Sequence, residues 1–284
     1  MRVLLTGANG QLGNCFQDRL PKEWEIWPTN THELDITDSD AVLAAVESYQ
    51  PDIIVNAAAY TAVDKAETDI ESADLVNHRG PHHLAFAAKK YNSRFIHVST
   101  DYVFDGNTTV PYTERDCTNP IGVYGKTKLD GEKAVIDELP QSIIIRTAWV
   151  FSEYGNNFVK TMLRLGLERK SIEIVGDQRG CPTYAGDIAN AIIELINAQA
   201  TGGVYHYCGD RDVSWFEFAK EIFDSAKYAG KLSKIPEINA ITTDCYPTPA
   251  RRPLFSILDT TKIQKLGVLP SNWRVAIGDV VAKL

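Results

Sequence analysis

Val3-Leu4-Leu5-Thr6-Gly7-Ala8-Asn9-Gly10-Gln11-Leu12-Gly13 decides how the chain is read. A short apolar run ends in a turn whose glycines are spaced GxxGxxG, and a helical pattern from Gln11 to Leu20 begins inside that turn. A buried strand, a glycine turn and a helix in this order bring backbone N–H groups and the positive end of a helix dipole to one point, which suits a pyrophosphate. The spacing is not the GxGxxG of the standard dinucleotide fingerprint, so the strand–turn–helix setting carries the reading. Gly7, Asn9, Gly10, Gln11, Leu12 and Gly13 are the candidate cofactor-binding residues, with the three glycines at the pyrophosphate.

Outward from this turn, apolar runs alternate with helical patterns. Glu25-Ile26-Trp27, Asp52 to Asn56, Arg94 to Ser99 and Ser142 to Arg146 read as strands. Asp38 to Tyr49, Glu71 to Tyr91 and Ile121 to Glu138 read as helices, the first capped by Asp38-Ser39. Runs such as Ile53-Ile54-Val55 and Ile143-Ile144-Ile145 fit strands buried on both faces. The fold class expected is α/β, a Rossmann-type doubly wound parallel sheet with a smaller, discontinuous C-terminal lobe. The second half is less regular. It offers helices at Asn156–Arg169, Gly186–Ala198 and Ser214–Tyr228, with strands at Ile172–Val175 and Gly203–Tyr207. The expected division is 1–148 plus about 184–225 for a dinucleotide-binding domain, and about 149–183 plus 226–284 for a substrate lobe.

Composition narrows the function classes. The 284 residues carry 37 acidic against 29 basic side chains, a net charge of −8, which argues against nucleic-acid binding. No apolar stretch approaches the ~20 residues of a membrane span. Five cysteines without a CxxC pair argue against a disulfide framework or zinc site and fit a reducing cytoplasm.

Three further stretches carry candidate chemistry. At the end of the second strand, Trp27-Pro28-Thr29-Asn30-Thr31-His32 holds neither the acid that binds a ribose 2′-OH nor the arginine that accepts a 2′-phosphate, so NADPH and NADH both stay open. Asp35-Ile36 lies where an adenine ring is contacted, and Asp35 reads equally well as a turn residue. Ala57-Ala58-Ala59 and Thr61, small residues leaving the third strand, make room for a cofactor. Ser99-Thr100-Asp101-Tyr102-Val103-Phe104 leaves the fourth strand, and Tyr124-Gly125-Lys126-Thr127-Lys128 follows. Tyr124 and Lys128, at i and i+4, share a helix face. The ammonium is expected to lower the phenol's pKa toward neutrality and make Tyr124 a proton donor, with Thr100 holding the substrate oxygen.

With those residues in place the chain resembles the extended short-chain dehydrogenase/reductase superfamily over nearly its whole length. Within it the chain is similar to the dTDP-4-dehydrorhamnose reductases. The narrower likeness rests on Asn56 to Glu67, Ser99 to Phe104, Val123 to Lys133, Arg146 to Val150 and Gly155 to Phe158. It rests also on Asp177-Gln178 with Gly180-Cys181-Pro182-Thr183, and on Tyr246-Pro247-Thr248-Pro249-Ala250-Arg251-Arg252-Pro253. The resemblance implies reduction of the C4 ketone of dTDP-4-dehydro-L-rhamnose by NADPH or NADH, with Thr100, Tyr124 and Lys128 as catalytic triad. It implies that Lys128 also binds the nicotinamide ribose. It makes Thr100 to Phe104 substrate-binding, places Trp149 near the sugar or the nicotinamide, and Asn157 and Arg251 near the dTDP part; Trp149 reads equally as a core aromatic. Arg251-Arg252 in a proline-pinned loop is a plausible diphosphate clamp on chemical grounds, or a solvated basic pair.

Some members of that family dimerise around a magnesium ion held by acidic residues, one just after the glycine turn. Here that position reads Asn14-Cys15 and the later one Gly186-Asp187-Ile188-Ala189, so no bridging metal and a monomer or weak homodimer are expected. Two alternatives share the scaffold. One is another nucleotide-sugar reductase or epimerase. The other is the non-catalytic regulatory subunit of methionine adenosyltransferase, which shares the Tyr124 to Lys128 stretch.

Overall fold

In a computed structural model that describes residues 1–284, the alternation becomes a six-stranded sheet with helices on both faces. β1 (Arg2–Thr6), α1 (Gln11–Asp18), β2 (Glu25–Thr29), α2 (Ser39–Tyr49) and β3 (Ile53–Asn56) open the chain. α3 (Val63–Ala66), α4 (Ile70–Asp74), a π-helical turn at Leu75–Arg79 and α5 (Gly80–Lys90) lead to β4 (Arg94–Thr100). A 3₁₀ turn at Asp101–Val103, α6 (Val123–Glu138) and β5 (Ile143–Thr147) complete the first half. The second half runs β6 (Val150–Phe151), α7 (Phe158–Glu168), β7 (Ser171–Val175), β8 (Arg179–Gly180), β9 (Thr183–Tyr184), α8 (Ala185–Asn197) and β10 (Gly203–His206). It ends with β11 (Val213–Ser214), α9 (Trp215–Tyr228), β12 (Glu237–Ile241), α10 (Thr261–Gln264) and α11 (Trp273–Lys283).

The main sheet has the order β10-β5-β4-β3-β1-β2, and every neighbouring pair is parallel. The chain leaves β1 for β2 on one side and returns to β3 on the other, so the order switches between β1 and β3. A crevice opens above the carboxyl ends of the strands at such a switch. Side chains alternate across the sheet. Val3, Leu5, Ile53 and Val55 pack under α1 and α8 with Phe16, Ile188 and Ile192. Leu4, Ile54, Phe95 and Ile144 pack on the other face with Val42, Leu84 and Val135.

A second core lies beside the sheet, where Met162 of α7, Phe218 and Phe223 of α9, and Trp273 and Ile277 of α11 meet. Residues 215–225, read from the sequence with the dinucleotide-binding domain, therefore pack in this second core. The apolar face of α9 meets α7 and α11, not the sheet. The capping box of Ser214 and Glu217 starts α9 in that direction.

The expected single helix from Glu71 to Tyr91 is broken. Its middle widens into the π turn just before Gly80-Pro81. Pro81 has no N–H to return to the carbonyl of Asn77, so the α-helical ladder cannot continue there. The side chain of buried Asn77 instead ties neighbouring segments together. It accepts from Tyr60 N (2.8 Å) and donates to Tyr60 O (3.1 Å) and Thr127 Oγ1 (3.2 Å). The short strand pairs and α11 were absent from the sequence reading, as was β12, which lies parallel to β7. No helix is long and apolar enough to cross a membrane.

Candidate active site

A cavity of about 760 Å³ occupies the crevice, and the glycine turn forms one wall of it. Gly7 has φ +72°, and a Cβ there would sit 2.5 Å from Ala58 N, so only glycine lets the β1 turn meet the β3 turn this closely. No side chain caps α1 at Gly10, which leaves its first N–H groups facing the cavity for an anion. Gly7, Asn9, Gly10, Gln11 and Leu12 line the cavity as expected, as do Ala57, Ala58, Ala59 and Thr61. Gly13 does not. A Cβ on it would lie 2.3 Å from Gly7 O, so this glycine serves the packing of α1 on the turn and not ligand contact. Asp35 and Ile36 line the far end. Asp35 also accepts the N–H and hydroxyl of Thr37 at 2.9 and 2.8 Å, so the turn role is real whatever it contacts. Asn30 and Thr31, from the stretch that lacks acid and arginine, stand beside it.

Thr100, Tyr124 and Lys128 line the middle of the same cavity. α6 brings its two residues there because Gly125 lets it press on the turn after β4. A Cβ at Gly125 would lie 2.1 Å from Tyr102 O. The Tyr102 ring meets Tyr124 edge-on, centroids 5.5 Å apart. The expected acidification of Tyr124 by Lys128 is not what the geometry gives. Burial pushes the phenol up to about 12, with Thr100 pulling down and Asp101 pushing up. The Lys128 ammonium is turned to the β4 backbone and donates to Val98 O at 2.7 Å. Lys128 itself is pushed down to about 8 by burial, with Glu132 opposing. Asp101 is buried, accepts the Thr100 hydroxyl at 3.0 Å on Oδ1, and leaves Oδ2 without a partner. Burial raises it to about 6.

At the other end, Trp149 lies in the cavity wall with φ +47° and stacks on Trp215, ring centroids 3.5 Å apart and 6° from parallel. Asn157 lines the cavity, but its side chain is committed to the fold. Its Nδ2 donates to Gln11 Oε1 (2.9 Å) and Ser152 O (2.8 Å), and its Oδ1 caps α7 by accepting from Lys160 N. Asp101 and Tyr102 line the cavity, whereas Val103 and Phe104 do not. Both point into the core, where Phe104 stacks on Tyr112 with centroids 4.1 Å apart. Strand alternation ends at the 3₁₀ turn, so contiguity in sequence does not place all five residues on one wall. Arg251 is exposed and outside the cavity wall. Arg252 is bound to Asp64 at 2.8 Å and to Thr248 and the Ala250 carbonyl, so its guanidinium is already engaged and the paired clamp is not formed.

A family model described as RmlD substrate binding domain matches residues 1–284. The chain belongs to that family. Among curated relatives, the dTDP-4-dehydrorhamnose reductase of Aggregatibacter actinomycetemcomitans is 48% identical, covering 99% of this chain and 98% of its own. The crystal structure of a dTDP-4-dehydrorhamnose reductase from Clostridium acetobutylicum ATCC 824 superposes with a TM-score of 0.93 at 38% identity, over 99% of this chain and 98% of that one. That of the dTDP-4-dehydrorhamnose reductase from Bacillus anthracis str. Ames, in complex with NADP, also gives 0.93 at 38% identity, over 100% and 99%.

Within this RmlD-family site several residues escaped the sequence reading. The sequence places Trp215 in a helix without a role, and the capping box before it is the one signal of its fixed position. Gln11, a candidate cofactor contact, also holds the second core, its amide oxygen accepting from Ser152 and Asn157. Behind Tyr124 and Lys128, Arg146 grips buried Glu132 with Nε (3.0 Å) and Nη2 (2.7 Å), and Ser99 donates to the same carboxylate. His97 and Asn56 are buried polar residues in otherwise apolar strands, which is itself the signal that they have partners.

Proposed function

We propose that the protein reduces the C4 ketone of dTDP-4-dehydro-L-rhamnose to the alcohol with NADPH or NADH. The observation that carries this is the meeting of Thr100, Tyr124 and Lys128 with the glycine turn in one cavity, in a chain whose family relatives are named for that reaction. The residues fit a dinucleotide. The uncapped α1 terminus and Gly7 suit the pyrophosphate, Ala57 to Ala59 leave the strand ends open, and the Bacillus anthracis relative holds NADP. When bound, the nicotinamide supplies the hydride that goes to C4. Tyr124 is protonated at neutral pH as any phenol is, burial pushes it further up to about 12, and it gives its proton to the ketone oxygen. Thr100 steadies that oxygen, and Lys128 holds the cofactor ribose beside it. Trp149 and Trp215 offer an apolar plate to the sugar or base.

The division of labour follows the two cores. Residues 1–148 with α8 and β10 hold the cofactor, and the remainder, α9 included, shapes the sugar-nucleotide end. The reading is of a cytoplasmic monomer or weak homodimer.

Purified protein mixed with dTDP-4-dehydro-L-rhamnose and either NADPH or NADH is expected to consume the nicotinamide absorbance and yield dTDP-L-rhamnose. Cofactor binding without consumption would favour another keto sugar or a non-catalytic binding role.

A further inference from the structure

A buried line of polar side chains crosses the sheet beneath the cavity. Thr6 of β1 donates its hydroxyl to Asn56 Oδ1 at 2.7 Å, and the Ala58 N–H donates to the same oxygen at 3.0 Å. Asn56 Nδ2 meets His97 Nδ1 at 3.0 Å, and His97 Nε2 stands 3.4 Å from Lys128 Nζ. None of these four side chains has more than 1% exposure.

Donor and acceptor chemistry allows one proton arrangement along this line. A backbone N–H only donates, so the Asn56 oxygen must face Ala58 and the amide cannot be reversed. Its NH₂ therefore faces the imidazole and donates to Nδ1, which carries no proton. Burial alone, the largest cause, holds His97 well below the usual imidazole range, so the ring is neutral and its one proton sits on Nε2. That N–H points at Lys128. A charged ammonium has no lone pair to receive it, so two donors confront each other. A neutral amine accepts the Nε2–H and still donates to Val98 O.

We propose that His97, locked by Asn56 in its Nε2–H tautomer, is a positioning residue that lowers the proton affinity of Lys128. The proposal deepens the reductase reading and rests on it for what Lys128 does in turnover. Burial of Lys128 acts in the same direction, and Glu132 acts against it. The titratable groups that act on the ammonium are His97 from β4 and Glu132 from α6, while Asp101 from the turn after β4 and Tyr124 from α6 line the same cavity. Arg146 of β5 acts through its grip on Glu132. Because Ser99 and Arg146 already engage that carboxylate, it is a weaker counter-charge than its proximity suggests.

Nuclear magnetic resonance of protein labelled with ¹⁵N-histidine and ¹³Cε-lysine tests this, with His97→Phe and Lys128→Met spectra assigning the two resonances. The expected result is an unprotonated Nδ1 and a protonated Nε2 on His97 through the neutral range. In His97→Phe the Lys128 titration midpoint should move up by at least about half a pH unit. His97→Gln, which keeps an acceptor for Asn56 and a donor for Lys128, should restore the midpoint. A proton on Nδ1, or a midpoint that stays or falls in His97→Phe, overturns the proposal. Should His97→Phe fail to fold, the tautomer in the unaltered protein decides. Both spectra are read without turnover, so failure of the reductase reading leaves the histidine decided on its own.

Discussion

Tyr124 and Lys128 are the residues on which the proposed chemistry turns. Removing the phenolic oxygen leaves the glycine turn untouched, so Tyr124→Phe should bind NADPH normally and lose about 10²- to 10⁴-fold in turnover. Single-turnover kinetics beside a cofactor titration would check it, and turnover near that of the unaltered chain would remove Tyr124 as the acid. Lys128 makes a separate prediction about stability. Its folded pKa, about 8, lies below the 10.5 of the exposed side chain. Below pH 8 both states are protonated and the burial penalty is present in full. Between pH 8 and 10.5 the unfolded chain binds more protons, so this contribution makes stability rise with pH, by on the order of 3 kcal/mol in all. Urea unfolding across that window should show the rise, and Lys128→Met should flatten it. The spacing of Tyr124 and Lys128 was legible in the sequence, because i and i+4 share a helix face. The acidity of Tyr124 was not, because it depends on burial and on the direction in which Lys128 points. The same limit misplaced Val103 and Phe104, whose orientation changes at a turn that no periodicity announces.

Among the elements, α6 is held closer to its neighbours than side chains normally allow. A Cβ at Gly131 would lie 2.1 Å from Asn77 O in the π turn. Alanine there improves intrinsic helix propensity by about 1 kcal/mol, yet it has to push α6 away from that carbonyl. Gly131→Ala should therefore lower stability by roughly 1–3 kcal/mol, read as a lower urea midpoint; a higher midpoint would show that the contact is slack. The strands of the main sheet were legible because burial on both faces demands continuous β-branched and aliphatic runs. The break in the helix before Gly80 was foreshadowed only by Pro81. β12 was not legible, since its partner β7 lies some sixty residues earlier and three of its five side chains face water. α11 carries a legible signal that the expected elements omit: Trp273, Ala276, Ile277, Val280 and Val281 follow helical spacing, and all are buried.

Across the whole molecule, the glycine-turn wall of the cavity and the wall built on the second core are joined through Gln11. Its side chain leaves the glycine turn and receives bonds from Ser152 and Asn157, which begin the second core. Gln11→Ala should thus raise the KM for the sugar nucleotide several-fold, although no direct contact with the sugar is invoked. Steady-state kinetics with each substrate varied would test this, and a change confined to the cofactor KM would count against the coupling. The order of the main sheet has a consequence for the nascent chain. β10, the strand that covers the outer edge of β5, is made only after β6 to β9, α7 and α8. While a ribosome is still producing those segments, the row of N–H and C=O groups along β5 is open to any extended peptide. A chain interrupted before Gly203 would keep that edge permanently, and would be a candidate for chaperone capture or strand-to-strand aggregation.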